Sequence, residues 1–266
     1  MMSLRTKTLL SRADRLLSTV RYALIGHFFI WVTGCISIPK APAPLRTLHH
    51  RWSEVETQRR LIVYLPGRGD KARDFAEKGM WQSLRSREMP FDAVAVDAHL
   101  GYYLKGSIVE RLMADVIEPA RAQGYEEIWV VGNSLGGLGA LLVEKEEPGT
   151  WDKLLLLAPF LGDDKRLYRS FEQSGGVRRW NPEVDFAKTD FSPRLWLWLK
   201  NWPEEAESRP ETYLGFGDSD RLRLGIDHLS PLLPQSRVFQ RPGGHRWDVW
   251  TPLFESLLDA AQADAD

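Results

Sequence analysis

The sequence predicts an α/β fold, a mostly parallel sheet covered by helices on both faces, and three observations predict it. Short, near-continuous apolar runs such as 61–65, 128–131 and 154–157 have the length and composition of strands buried on both sides. Between them, apolar residues recur at three- and four-residue spacing, the pattern of helices that cover such a sheet. Eleven Trp, eleven Phe and seven Tyr within 266 residues, 43% of them hydrophobic, supply a sizeable core and exclude a disordered chain.

Each element can be justified in turn. Leu61-Ile62-Val63-Tyr64-Leu65 is the first core strand, closed by Pro66-Gly67. Asp70 is placed to cap one helix running through Phe75 and Trp81 towards Arg87. Ala93-Val94-Ala95-Val96 is the second strand, and Ile108, Leu112, Met113, Val116 and Ile117 define the next helical face. Ile128-Trp129-Val130-Val131 is a third strand, followed by a helix over Leu138–Val143 that ends before Pro148. Leu154-Leu155-Leu156-Leu157, Thr212-Tyr213-Leu214 and Arg237-Val238-Phe239 complete the strands. A last helix carries Val249, Trp250, Leu253, Phe254, Leu257 and Leu258.

Composition excludes several function classes. One cysteine rules out a disulfide framework and a cysteine-based zinc site. A formal charge of −1 gives no reason to expect a nucleic-acid partner. The phosphate-binding G-x-x-x-x-G-K-[ST] loop, the H-E-x-x-H pair and the EF-hand loop are missing from the sequence.

The N-terminal stretch differs in kind. Arg5, Lys7, Arg12, Arg15 and Arg21 face one acid, Asp14, and an apolar run follows from Tyr22 to Ile38, interrupted by His27 and small residues. Basic then apolar is the order of a secretory leader. The run contains Val32-Thr33-Gly34-Cys35, which resembles the lipobox of bacterial lipoproteins, where cleavage before the cysteine leaves its thiol to be lipidated. Residues 1–34 are therefore read as a signal peptide with lipidation at Cys35, or alternatively as an uncleaved anchor helix, for which 17 apolar residues are just long enough. Either way the basic flank places the rest outside the cytoplasm, on the periplasmic face of a bacterial envelope. Residues 35–46, with Pro39, Pro42 and Pro44, are expected to form an extended tether. The segment 39–44 alone spans about 19 Å in polyproline geometry. Residues 1–34 carry +4, which leaves −5 on the remainder, so the folded part, 47–266, offers no basic membrane patch.

In open parallel sheets chemistry collects beyond the carboxyl ends of the strands. The third strand leads into Gly132-Asn133-Ser134-Leu135-Gly136-Gly137, a G-x-S-x-G between strand and helix. A sharp turn there strains the serine backbone and folds the chain against itself, so only small residues fit two positions before and two after. The helix start aims backbone N–H groups at a developing negative charge. A serine hydroxyl needs a base, and the last strand leads into Pro242-Gly243-Gly244-His245, where glycines let a loop present His245. His49, His50 and His228 are read as surface or satisfied core residues; His99, with Asp97, Tyr102 and Tyr103, is placed near the pocket rim. The acid that orients the histidine should follow the preceding strand, in Gly215-Phe216-Gly217-Asp218-Ser219-Asp220. Gly217-x-x-Asp220 puts the acid just past a tight turn and leaves Asp218 for turn N–H groups; Gly215-x-x-Asp218 is the competing register.

The order Ser134, Asp220, His245, separated by strands, resembles the α/β-hydrolase superfamily over residues 58–262. The resemblance implies a trimmed sheet of about six strands, because too little sequence precedes residue 58 for the full set. It implies an oxyanion hole from the amides of Leu135 and Arg68, the latter in Pro66-Gly67-Arg68-Gly69-Asp70, where Pro66 replaces the usual histidine. The stretch 161–210, with Trp180, Trp196, Trp198 and Trp202, corresponds to the position of a helical cap; the tryptophans either wall a substrate pocket or pack the cap onto the sheet. The implied activity is serine esterase or lipase chemistry on a small-molecule or lipid-like acyl substrate, with no cofactor and no metal. An acyltransferase on the same scaffold and a catalytically silent envelope binding protein are the alternatives.

Cys35→Ser should block lipid attachment and leave the leader uncleaved, as read by mass spectrometry of the membrane fraction. A wild-type N-terminus at Met1 identifies an anchor helix instead.

Overall fold

A computed structural model describes residues 40–52, 60–182 and 191–264. Cys35 and the apolar run 22–38 lie outside the described residues, and among the described residues no helix is long and apolar enough to cross a membrane.

Seven strands form one sheet in the order β1-β3-β2-β4-β5-β6-β7. They are β1 (Thr47–His50), β2 (Arg60–Leu65), β3 (Phe91–Val96), β4 (Glu127–Asn133), β5 (Lys153–Leu157), β6 (Glu211–Gly217) and β7 (Val238–Arg241). β2 to β7 pair in parallel, and β1 runs antiparallel along β3, from Thr47 opposite Val96 to His50 opposite Ala93. The six strands expected from the apolar runs are all present, and the seventh corrects the count. β1 reads Thr-Leu-His-His, an edge strand with two exposed central residues, so it carries no apolar run. His49 and His50 therefore lie within a strand.

The helices are α1 (Ala72–Glu77), α2 (Met80–Ser86), α3 (Leu100–Leu104), α4 (Ile108–Leu112), α5 (Glu118–Ala122), α6 (Leu135–Glu146), α7 (Lys165–Gln173), α8 (Phe191–Leu199), α9 (Arg223–Leu229) and α10 (Trp247–Ala263). The single helix expected from Asp70 to Arg87 is two. Gly79 between them sits at φ 86°, a left-handed conformation that ends one helix and starts another at a new angle. The cap of α1 is Lys71, whose backbone N–H is taken by Asp74, so Asp70 is released for another role. A wide π turn over Met113–Ile117 joins α4 to α5 just ahead of Pro119, whose ring cannot follow a regular helical turn.

The stretch expected as a spacer is held on the domain from Ala41 onward. Ala41 packs against the core, Leu45 is buried, the Pro42 carbonyl accepts from Tyr102 Oη at 2.7 Å, and Leu45 N–H donates to Asp115 at 2.8 Å. Apolar contacts available to Leu45 outweigh the freedom of an extended tether.

Between β5 and β6, α7 and α8 build an aromatic cluster. Phe171 is its hub, 4.9 Å from Trp180, 5.2 Å from Trp196 and 5.2 Å from His228, and His228 stacks on Tyr168. Trp198 and Trp202 meet at 5.1 Å, with the Arg209 guanidinium over both. Trp180, Trp196 and Trp202 are buried, so they pack this segment together. Burial is also what lowers the His228 pKa, as for a histidine satisfied by packing.

Candidate active site

The strand order builds the site. The chain turns back after β3, so β2 and β4 are neighbours, and their carboxyl ends flank the point where the order reverses. The loop after β2, residues 66–70, therefore lies beside the turn after β4.

That turn carries Ser134 at φ 51°, ψ −111°, a strained conformation for a residue with a side chain. Its N–H donates to Leu157 C=O at 2.9 Å, extending the β4–β5 ladder, and its C=O accepts from Phe160 N–H at 2.8 Å. The glycines are sterically required. A Cβ on Gly132 would lie 2.6 Å from Gly137 Cα, and one on Gly136 would lie 2.0 Å from the Leu65 carbonyl oxygen. Ala158, next in space at the end of β5, also has positive φ, at 46°.

His245 lies in the loop after β7. Its Nε2 is 2.8 Å from Ser134 Oγ, and its Nδ1 is 2.9 Å from both carboxylate oxygens of Asp220. The Asp220 carboxylate is fully buried and also accepts from Leu222 N–H at 2.8 Å. Of the two acids, Asp220 is the one that faces the ring. Asp218 is exposed and accepts from Gly243 N–H at 3.0 Å, tying the acid turn to the histidine loop. That bond holds the Asp218 carboxyl below its usual value. Gly217 permits this closeness, because a Cβ there would meet the Gly243 carbonyl oxygen at 2.2 Å.

Leu135 opens α6, so its N–H is one of the helix-start donors with no partner inside the helix. Arg68 follows Gly67, where a Cβ would stand 3.4 Å from Ser134 Cβ, so this loop passes directly over Ser134. The other rim candidates do structural work. Asp97 accepts from Ala72 N–H at 2.8 Å, His99 caps α3 by accepting from Gly101 N–H at 3.1 Å, Tyr102 binds Pro42, and Tyr103 lies buried beneath α6 at Gly139. Polar residues at strand ends were the signal for a pocket rim, but Asp97, His99 and Tyr102 are bonded to backbone groups instead.

Three features have no counterpart in the sequence reading. Trp250 packs at right angles to the His245 ring, 4.8 Å between centroids. Phe160, bonded through its N–H to the Ser134 carbonyl, pairs with Phe191 at 6.2 Å, and both residues are partly exposed. Asp70 accepts from Trp247 Nε1 at 3.2 Å, and burial pushes its carboxyl above the usual value, the Trp247 bond opposing that shift. The Asp70–Trp247 contact joins residues 177 positions apart and leaves no local pattern to read. Among the described residues no cluster of His, Cys, Asp and Glu could hold a metal ion.

Sheet order, strand-to-helix elbow and the loops beyond β6 and β7 together define the α/β-hydrolase fold, and this chain has it. Solved structures of the same fold are similar to it over most of its length. Est1E from Butyrivibrio proteoclasticus has a TM-score of 0.58 at 15% identity, covering 84% of this chain and 95% of that one. MGS-MChE2, an alpha/beta hydrolase enzyme from the metagenome of lagoon sediments at Mar Chica, Morocco, has a TM-score of 0.53 at 19% identity, covering 85% and 98%. S-formylglutathione hydrolase FrmB from Staphylococcus aureus has a TM-score of 0.52 at 14% identity, covering 78% and 83%. No family profile and no curated protein matches the chain.

Gly136→Ala should destabilise the protein by about 3 kcal/mol or more, because backbone of β2 must retreat from the new methyl group. Gly244→Ala, whose Cβ would meet nothing nearer than 3.6 Å, should cost under about 1 kcal/mol. Thermal denaturation of the two variants compares them directly.

Proposed function

We propose that the protein is a serine hydrolase that cleaves an ester or related acyl bond through an acyl-serine intermediate. The observation that carries this reading is the continuous contact from Asp220 through His245 to Ser134, all within 2.9 Å. A carboxylate only accepts, so the hydrogen-bond network assigns the ring proton to Nδ1 and leaves Nε2 to accept from the serine hydroxyl.

Ser134 Oγ attacks the carbonyl carbon while its proton passes to His245 Nε2. The carbonyl π pair becomes an oxyanion, held by the amides of Leu135 and Arg68. As the tetrahedral intermediate collapses, the bond to the leaving group breaks, and His245 gives that group its proton. Water then repeats the sequence: it loses a proton to His245, attacks the acyl-serine, and Ser134 Oγ leaves with the proton returned. Asp220 keeps the imidazole in the required tautomer and offsets its positive charge in each half-reaction.

The half-exposed pair Phe160 and Phe191 suits an apolar acyl portion lying beside the nucleophile. Several similar structures carry esterase or hydrolase names, and Est1E has been solved with ferulic acid bound; these support acyl-bond cleavage over a silent binding module. With lipidation at Cys35, the enzyme would work tethered to the bacterial envelope on its periplasmic face.

A fluorophosphonate probe and a panel of esters test the reading. Ser134→Ala should abolish labelling and lower turnover by roughly 10³-fold or more while the protein stays folded. Asp220→Asn should cost roughly 10⁴-fold in kcat through loss of the histidine tautomer. Asp218→Asn should cost mainly stability, about 1 kcal/mol for one hydrogen bond. A wild-type protein that never labels overturns the assignment.

A further inference from the structure

We infer that Asp70 is a positioning residue: its carboxylate locks the loop over the nucleophile to the start of α10, so that the Arg68 amide and His245 hold one geometry about Ser134. The inference rests on the serine-hydrolase reading and goes past it, because acid, base and nucleophile are already supplied without a second carboxylate.

Asp70 is bonded on both sides. Its N–H donates to the Gly67 carbonyl at 3.2 Å, closing the turn that contains Arg68. Its Oδ1 accepts from Trp247 Nε1 at 3.2 Å. Its Oδ2 covers the α-carbon of Gly67, where a Cβ would lie 2.6 Å from that oxygen and 3.4 Å from Ser134 Cβ. Carboxylate, glycine and nucleophile are thus layered against one another. Any side chain at residue 67 would separate them.

On its far side, Trp247 is the first residue of α10, two positions after His245. Its ring meets Phe75 of α1 edge-on at 5.3 Å and Trp250 at 5.5 Å, and Trp250 in turn meets the His245 ring at 90°. Asp70, Trp247, Trp250 and His245 therefore form one packed path from the loop over the nucleophile to the base. The C-terminal end of the loop is pinned separately, by Asp97 at Ala72 N–H.

Stability alone accounts poorly for this arrangement. Burial works against the Asp70 charge and raises its carboxyl above the usual value, so its placement here carries a desolvation cost. Geometry accounts for it well. Oxyanion donors act only when held within about 0.5 Å of their productive position, and a displacement of about 1 Å can lower the rate about 10²-fold.

The test measures kcat and KM for a p-nitrophenyl ester, and the rate of fluorophosphonate labelling, on the full chain. Wild type is compared with Asp70→Ala, Asp70→Asn, Trp247→Phe and the Asp70→Ala/Trp247→Phe pair, each with its melting curve. Asp70→Ala and Trp247→Phe should each lower kcat by about 10- to 100-fold with KM within about twofold. Asp70→Asn keeps an oxygen for the indole N–H and should stay within about threefold of wild type. The double variant should be no slower than the slower single one, as expected of two groups acting through one contact. If Asp70→Ala does not fold, Trp247→Phe and Asp70→Asn decide alone. Melting shifts with unchanged kcat, or losses that multiply in the double variant, overturn the proposal and leave the hydrolase reading intact. Wild type that is never labelled overturns both.

Discussion

Gly136 presses its α-carbon against the backbone of Leu65, with no room for a single added carbon. That approach of α6 to β2 holds the turn after β4 in a conformation that a serine would not adopt in isolation. The strain is sustained by a ladder bond to Leu157, a carbonyl bond from Phe160 and the packing of α6 on β4 and β2. With the turn pinned, Ser134 Oγ meets His245 Nε2 at 2.8 Å, and the loop after β2 comes close at Gly67, where a Cβ would stand 3.4 Å from Ser134 Cβ. The rest of the site is arranged around that point.

Asp220 and His245 come from the other half of the sheet and have to be brought to Ser134. β6 and β7 end beside each other, and their loops are bonded together at Asp218–Gly243 and Ser219–Gly243 before either reaches the serine. This makes the acid turn and the histidine loop a single unit. A small residue at 217 is what lets the two backbones touch. Trp250 then meets the imidazole at a right angle, and its neighbour Trp247 carries the constraint across to Asp70. Buried aromatic contacts of this kind restrict motion without adding charge near the reacting atoms.

The segment between β5 and β6 has a different character. Its aromatic residues satisfy one another: Phe171 is surrounded by Trp180, Trp196 and His228. Among its described aromatic residues Phe160, Phe191 and Trp198 stay partly exposed, and the Phe160 N–H is bonded to the Ser134 carbonyl. The segment contributes a stiff scaffold with a narrow apolar face, and the remaining tryptophans are spent on holding it together.

Much of this was legible in the linear chain. Continuous apolar runs identified the central strands β2 to β5, because a strand buried on both faces has no polar side to conceal it, while the edge strand β7, with no fully buried residue, was read from a shorter mixed run. Gly132-x-Ser134-x-Gly136 was legible because the turn it makes is local, with Gly132 pressed on Gly137 five residues on, whereas the choice between Asp220 and Asp218 stayed open until the fold showed which carboxylate faces His245. Other features needed the folded molecule. The edge strand Thr47–His50 has an ordinary polar sequence and becomes a strand only where β3 offers unpaired backbone groups. The two-helix break at Gly79 depends on which face each half must bury. Asp97, His99 and Tyr102 looked like a pocket rim and proved to be bonded to backbone, since a polar side chain's partner is chosen by the fold. Asp70 and Trp247 stand 177 residues apart, and no sequence pattern relates them. The sequence by itself determined which groups were local enough to be strained, buried or alternating. Which of the remaining polar and aromatic groups would meet was decided only when the sheet closed and its strand ends were brought side by side.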